Sequence, residues 1–148
     1  MKILHVFDRL SPHTNGTSHL LYQLAKALAE RGHEVTIYTT DYKSEGEYLD
    51  SLAPVKAYPF HNSFIFSGFY YTPDIVQEAK KNLGGVDIIH LHCLRSYQNI
   101  VIHRYASKYG IPYILDTHGS LPRAVAVEKG FMWLLKWLFD VGYGYRIL

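Results

Sequence analysis

Short apolar runs alternate along this chain with segments whose apolar residues recur at helical spacing, and that alternation leaves few architectures open. Ile3, Leu4, Val6 and Phe7 surround His5 in the first run. Val35, Ile37 and Tyr38 make the second, Val86, Ile88, Ile89 and Leu91 the third, and Ile111, Tyr113, Ile114 and Leu115 the fourth. Runs this short and nearly continuous suit strands covered on both faces. Between them, Leu20, Leu21, Leu24, Ala25 and Leu28 trace one helix, Pro73 to Leu83 a second, and Tyr97 to Lys108, with Ile100, Val101 and Tyr105, a third. Pro73 suits a first helical turn, and Gly32, Gly84 and Gly110 stand where helices stop. A weaker run, Val55 to Pro59, reads as an edge strand. Strands alternating with helices imply right-handed crossovers and a parallel sheet. The expected fold is a doubly wound, mostly parallel α/β sheet with helices on both faces.

The 148 residues are 48% hydrophobic, enough to bury one core and typical of one domain. Fifteen basic residues face 13 acidic ones, spread along the chain. That pattern lacks the basic stripe with which nucleic-acid binders neutralise phosphates, so no nucleic-acid partner is expected. Cys93 is the single cysteine and has no internal disulfide partner. Met1-Lys2-Ile3-Leu4-His5 runs directly into the first strand, with no separate apolar segment and cleavage site. A cytoplasmic chain is the expectation.

In open parallel sheets, ligands bind beyond the carboxyl ends of the strands. Three loops fall there: Asp8 to Ser18, His92 to Gln98 and Asp116 to Arg123. In the first, Asn15-Gly16 precedes Thr17-Ser18 and a helix. Glycine removes the Cβ that would block a phosphate, free N–H groups and the dipole favour an anion, and either hydroxyl can cap the helix. An ordinary glycine turn with a capped helix explains the same residues. There is no Gly-x-Gly-x-x-Gly and no Gly-Lys-Ser/Thr, which disfavours nicotinamide dehydrogenases and P-loop nucleotidases.

The second loop follows His90-Leu91-His92-Cys93-Leu94-Arg95. Residues two apart on a strand share a face, so His90 and His92 can in principle share a metal near Cys93. No second cluster at ligand spacing completes the set, and no metal is expected. His92 reads better as a hydrogen-bonding group in the crevice, with His90 packed in the strand; Arg95 is either an anion contact or a solvated charge. In the third loop, Asp116-Thr117-His118-Gly119-Ser120, a histidine at a strand exit can move a proton or polarise a hydroxyl near neutral pH. A turn held by Asp116 is the plainer alternative. No Gly-x-Ser-x-Gly elbow occurs, so covalent serine chemistry has no support.

Two aromatic stretches stand apart. His61 to Tyr71 contains Phe64, Ile65, Phe66, Phe69, Tyr70 and Tyr71, and Phe131 to Phe139 carries Trp133 and Trp137 beside Lys129 and Lys136. Neither is long enough to span a bilayer. Core packing explains them; so does a surface for a lipid-linked acceptor or a peripheral membrane contact.

Several segments together resemble a known family. They are Met1 to Val6, the loop ending in Asn15-Gly16, Leu24 to Thr36 with its Arg31-Gly32-His33-Glu34-Val35 stop, Val86 to His92, and Ala106 through Gly110-Ile111-Pro112 to His118-Gly119. In order and spacing they look like the N-terminal domain of retaining, nucleotide-sugar-dependent glycosyltransferases of family 4 with the B-type fold. The resemblance implies one of two Rossmann-like domains facing across a cleft, with this one on the acceptor side. The donor domain would lie in cis beyond residue 148, and this half alone would be inactive. The resemblance also implies that Asn15 and Gly16 line the donor diphosphate, that His118 stands beside the reacting sugar, and that His92, Arg95, Gly119 and Arg123 contact the acceptor. One departure is visible, since the family often has two glycines in the first loop where this chain has Asn15 before Gly16. The expected co-substrate is a UDP- or GDP-linked sugar, with no further cofactor. The expected acceptor is a glycan or a lipid-linked sugar of cell-envelope or exopolysaccharide synthesis, met at the inner face of the cytoplasmic membrane. A different class stays open: a non-catalytic module holding a phosphorylated sugar or a protein partner.

Overall fold

The computed structural model describes residues 1–13, 16–119 and 131–148. Five strands, β1 (Lys2–Val6), β2 (Glu34–Thr40), β3 (Lys56–Phe60), β6 (Ile88–His92) and β7 (Tyr113–Asp116), form one sheet in the order β3-β2-β1-β6-β7. Every pairing within it is parallel. A small antiparallel hairpin, β4 (Phe64–Phe66) and β5 (Phe69–Tyr71), is inserted after β3. The run from Val55 is therefore the edge strand expected of it. The chain builds outward from β1 to β3, then returns to the other side of β1 with β6. This reversal puts the topological switch point between β1 and β6, where a doubly wound sheet opens a crevice.

The helices are α1 (Gly16–Glu30), α2 (Gly46–Asp50), α3 (Ile75–Asn82), α4 (Tyr97–Tyr109), α5 (Phe131–Phe139) and the short α6 (Tyr145–Ile147). On one face of the sheet, Leu4, Val6, Ile89 and Leu91 bury against Ile75 and Ala79 of α3, Val101, Ile102 and Ala106 of α4, and Ile147 of α6. On the other, Phe7, Val35 and Ile37 pack with Leu21 and Ala25 of α1 and with Leu52 and Val55 beyond α2. Alternation along a strand assigns one side chain to each cluster in turn. Leu20, grouped with the apolar stripe of α1 by spacing, is exposed instead. The buried line runs through Ser18, Leu21 and Ala25.

Local signals end the helices where the glycines stand. Gly32 has φ of 86°, its N–H donates to the Ala29 carbonyl, and the His33 N–H donates to Leu28. This is the paired closure of a left-handed C-cap. Gly110, with φ of 67°, ends α4, whose start is capped by the Ser96 hydroxyl accepting from the Asn99 N–H. α3 begins just after Pro73, whose carbonyl accepts from the Val76 N–H, and runs into a 3-10 turn at Leu83–Gly85. No helix among the described residues is long and apolar enough to cross a membrane.

Candidate functional site

Three strands deliver the site. His5 on β1 lies across from His90 on β6, and His92 across from Asp116 on β7. Since Leu4, Val6, Ile89 and Leu91 all face α3 and α4, the histidines between them share the opposite face. There, at the switch point, the Nδ1 of His5 is 3.1 Å from the Nε2 of His92. The other nitrogen of His92, Nδ1, is 2.8 Å from the Nε2 of His118. The His92 and His118 rings lie within 5° of parallel, their centroids 5.2 Å apart. Three imidazoles thus line up from the sheet interior toward the crevice.

The outer end of that line is a strained turn. His118 has φ of 44° and Gly119 φ of 77°, both in the left-handed region. Glycine tolerates this conformation; a histidine held there carries a backbone cost that surrounding contacts must offset. The Asp116 Oδ1 supplies such a contact by accepting the His118 backbone N–H at 3.1 Å, and it lies 3.5 Å from the Nδ1 of the same ring. The turn held by Asp116 and the histidine at the crevice are therefore one feature. Cys93, at the exit of β6, is also left-handed, with φ of 61°. Asn99 steadies that exit by donating to the carbonyls of His92 and Cys93.

Burial sets the electrostatics. Loss of solvent, reinforced by His90, lowers the His5 pKa to about 3. Loss of solvent together with His90, His5 and His118 lowers that of His92 to about 2. Burial also lowers the pKa of His90. All three rings are therefore neutral at physiological pH. The Nε2 atoms of His5 and His90 are buried without a hydrogen-bond partner among the described residues. One nitrogen from each of His5, His90 and His92 lies within 4.8 Å of the others, close enough for a cation. Both nitrogens of His92 already engage a neighbouring imidazole, so a cation there would have to displace one of those contacts. Burial raises the Cys93 thiol to about 11, which keeps it protonated and unreactive.

The first loop is built differently from its sequence expectation. The Ser18 hydroxyl does not cap α1. It accepts the Ser11 N–H at 2.9 Å and donates to the Ser11 carbonyl at 2.8 Å, tying the loop to the helix. The Leu10 N–H donates to the Thr39 hydroxyl. Gly16 opens α1 with open space around the place a Cβ would occupy. Asp8 and Arg9, which the sequence did not single out, pair across 3.6 Å at the exit of β1, and burial raises the Asp8 pKa. Their position just past a central strand was the signal available.

Of the residues expected to form the site, the structure brings His92 and His118 into contact and sets Gly119 beside them. Gly16 stands at the start of α1. Arg95 turns to the side: its Nε and Nη2 donate to the two Asp140 oxygens at 2.9 and 2.8 Å, and the pair is nearly buried. Asn15 and Arg123 lie outside the described residues. Arg95 also lines a pocket of about 410 Å³ with Phe64, Phe66, Phe69, Lys136 and Phe139. The aromatic stretches thus meet at one pocket, while Tyr70 of the first stretch is buried.

A family model, Glycosyltransferase Family 4, matches residues 14–144. The chain belongs to glycosyltransferase family 4. Its fold, a parallel sheet with helices on both faces, fits one Rossmann-like half of the B-type architecture. A glycogen synthase from Opitutus terrae is 37% identical over 60 residues, covering 39% of this chain. The chain spans only 12% of that enzyme's length in the match. Membership of family 4 makes this a glycosyltransferase-family domain.

Proposed function

We propose that this chain is the acceptor-side domain of a retaining glycosyltransferase that moves a sugar from a UDP- or GDP-linked donor to a lipid-linked acceptor in cell-envelope or exopolysaccharide synthesis. A donor-binding domain in cis would close the cleft, and the isolated domain would be inactive. The observation that carries the reading is His118, held in a strained turn at the switch point by His92 and Asp116. Strain of this kind is retained where geometry matters to function.

In this mechanism the domain positions groups and does not attack the sugar. The acceptor hydroxyl enters on the leaving-group face of the donor, and His118 hydrogen-bonds to the reacting sugar. The departing diphosphate is stabilised by N–H groups at the start of α1, around Asn15 and Gly16. His92 orients His118, and Gly119 permits the turn that presents it to the acceptor.

The preference for a lipid-linked acceptor rests on the aromatic surface. Phe131 is 64% exposed and Phe66 51%, and Trp133, Trp137 and Leu138 are exposed with them. Of these, Phe66 lines the pocket, together with Phe64, Phe69, Phe139, Lys136 and the Asp140-paired Arg95. An apolar pocket with a lysine in its wall suits a lipid phosphate at the inner membrane face, and the exposed tryptophans suit a peripheral contact. Arg123 is assigned to the acceptor on the family resemblance alone.

The test is sugar transfer by the full-length protein from UDP- and GDP-sugars to lipid-phosphate-linked and free glycans. Transfer to the lipid-linked acceptor with retained anomeric configuration is expected, and His118→Ala should lower kcat at least a hundredfold while leaving the melting temperature nearly unchanged. Transfer only to free glycans would remove the lipid assignment. Unaltered turnover in His118→Ala would remove its role.

A further inference from the structure

The line of imidazoles constrains how His118 takes part, and this inference deepens the reading above. His92 is neutral and so carries one ring proton. It therefore donates at one nitrogen and accepts at the other, which makes its two hydrogen bonds run in the same direction. With one proton on each of the three rings, only two arrangements of the line exist.

In the inward arrangement, the His118 Nε2–H donates to His92 Nδ1, and the His92 Nε2–H donates to His5 Nδ1. The His5 proton then sits on Nε2, a buried nitrogen with no acceptor among the described residues. A buried N–H without an acceptor is among the rarer and costlier defects in proteins. At the other end, the bare His118 Nδ1 would turn its lone pair toward the Asp116 Oδ1, 3.5 Å away.

In the outward arrangement, the His5 Nδ1–H donates to His92 Nε2 across 3.1 Å, and the His92 Nδ1–H donates to His118 Nε2 across 2.8 Å. The His118 proton then sits on Nδ1 and faces the Asp116 oxygen. The interior is left with a bare lone pair on His5 Nε2 in place of an unmatched proton. Both ends favour this arrangement.

We propose that His5 and His92 act as positioning residues which fix His118 as its Nδ1–H tautomer, so that its one ring proton lies on the side of Asp116 and its basic nitrogen is turned inward. Any hydrogen bond from His118 to an oxygen of the sugar or its phosphate then comes from this Nδ1–H, which the substrate oxygen shares with or takes from the Asp116 carboxylate 3.5 Å away. His118 does not take the proton of the acceptor hydroxyl, because the nitrogen able to accept that proton is occupied by His92. This separates the two roles that a crevice histidine can have, proton acceptor and hydrogen-bond donor.

The arrangement is readable by NMR in the 15N-labelled chain. Long-range 15N–1H spectra report which ring nitrogen bears the proton, and couplings across N–H···N bonds report which nitrogens are joined. The expected result is His118 as Nδ1–H, with couplings from His92 Nδ1 to His118 Nε2 and from His5 Nδ1 to His92 Nε2. In His92→Phe, His118 should move toward the Nε2–H form that free neutral imidazole prefers, a change that loss of packing alone would not cause. The wild-type spectrum decides the matter if that variant fails to fold. His118 found as Nε2–H in the wild type overturns the proposal, as does an unaltered tautomer in a folded His92→Phe. If His118 is Nδ1–H but the full-length protein transfers no sugar, the line of histidines stands and the transferase reading falls.

Discussion

The two faces of the central strands are made from the same few residues and have opposite character. On β1 and β6, Leu4, Val6, Ile89 and Leu91 turn to α3 and α4 and lose all contact with solvent. Their neighbours His5, His90 and His92 turn the other way, and two of those three are equally buried. Burying the leucines and isoleucines stabilises the fold by about 1.5–3 kcal/mol per side chain. Burying imidazoles has the opposite tendency, because a polar ring leaves water and must find partners or stay neutral. On β1 and β6 the apolar side chains therefore stabilise the domain, while the histidines leave the packing of their face to Phe7, Val35, Ile37 and α1 and serve a task other than stability.

Removing a side chain from the dry face should break this contrast most strongly. Leu91→Ala is expected to lower the unfolding free energy by about 2–5 kcal/mol in urea denaturation, through lost burial and the cavity left against α4. A loss much below that range would mean that the α3–α4 face is looser than it looks.

The histidine face should show itself through pH. The folded-state pKa values of His5 and His92, about 3 and about 2, lie below the ordinary imidazole value of 6.5. The unfolded chain therefore binds more protons in the interval between, so stability is full above about pH 6.5 and falls as the pH drops toward those folded values. Two such groups give a loss on the order of 2 kcal/mol between about pH 6 and pH 5, measurable as a shift in the urea midpoint. Asp8, with its raised pKa, acts in the opposite sense at lower pH. His5→Leu should flatten the slope, whereas an unchanged slope would place the titrating groups elsewhere.

Smaller effects sharpen the comparison. Ser96→Ala removes the hydroxyl that caps α4 and should cost about 1 kcal/mol, read as a lower melting temperature. Ile114, on the histidine face of β7, is 55% exposed, and Ile114→Ala should change stability by less than about 0.5 kcal/mol. A larger loss at Ile114 would show that this part of the face is covered in solution.

Much of the fold was legible because its signals are local or periodic. The strands around Leu4, Ile37, Ile89 and Leu115 follow from their apolar runs, the ends of α1 and α4 from Gly32 and Gly110, and the edge position of β3 from its weaker pattern. The aromatic stretch from Phe64 was harder, because apolar content suggests burial as readily as a pocket wall. The position of the three loops beyond the strand ends was also legible, and with it His92 and His118 as separate crevice candidates, though not their contact. Ser18 illustrates what was not: its place at the start of a helix suggests a cap, yet its hydroxyl goes to Ser11, a partner that only the path of the loop brings near. Arg95 likewise meets Asp140, far along the chain, which no local pattern specifies.

By itself, the sequence determined the alternation of strands and helices, the parallel sheet, and the end of that sheet at which His92 and His118 stand. These depend on periods of two and of nearly four residues, which are properties of adjacent positions. The tertiary structure decided that His5 would join His92 and His118 in one hydrogen-bonded line, because that contact depends on strand order and register. β1 and β6 are far apart in sequence, and only the reversal of the chain at the switch point sets them side by side.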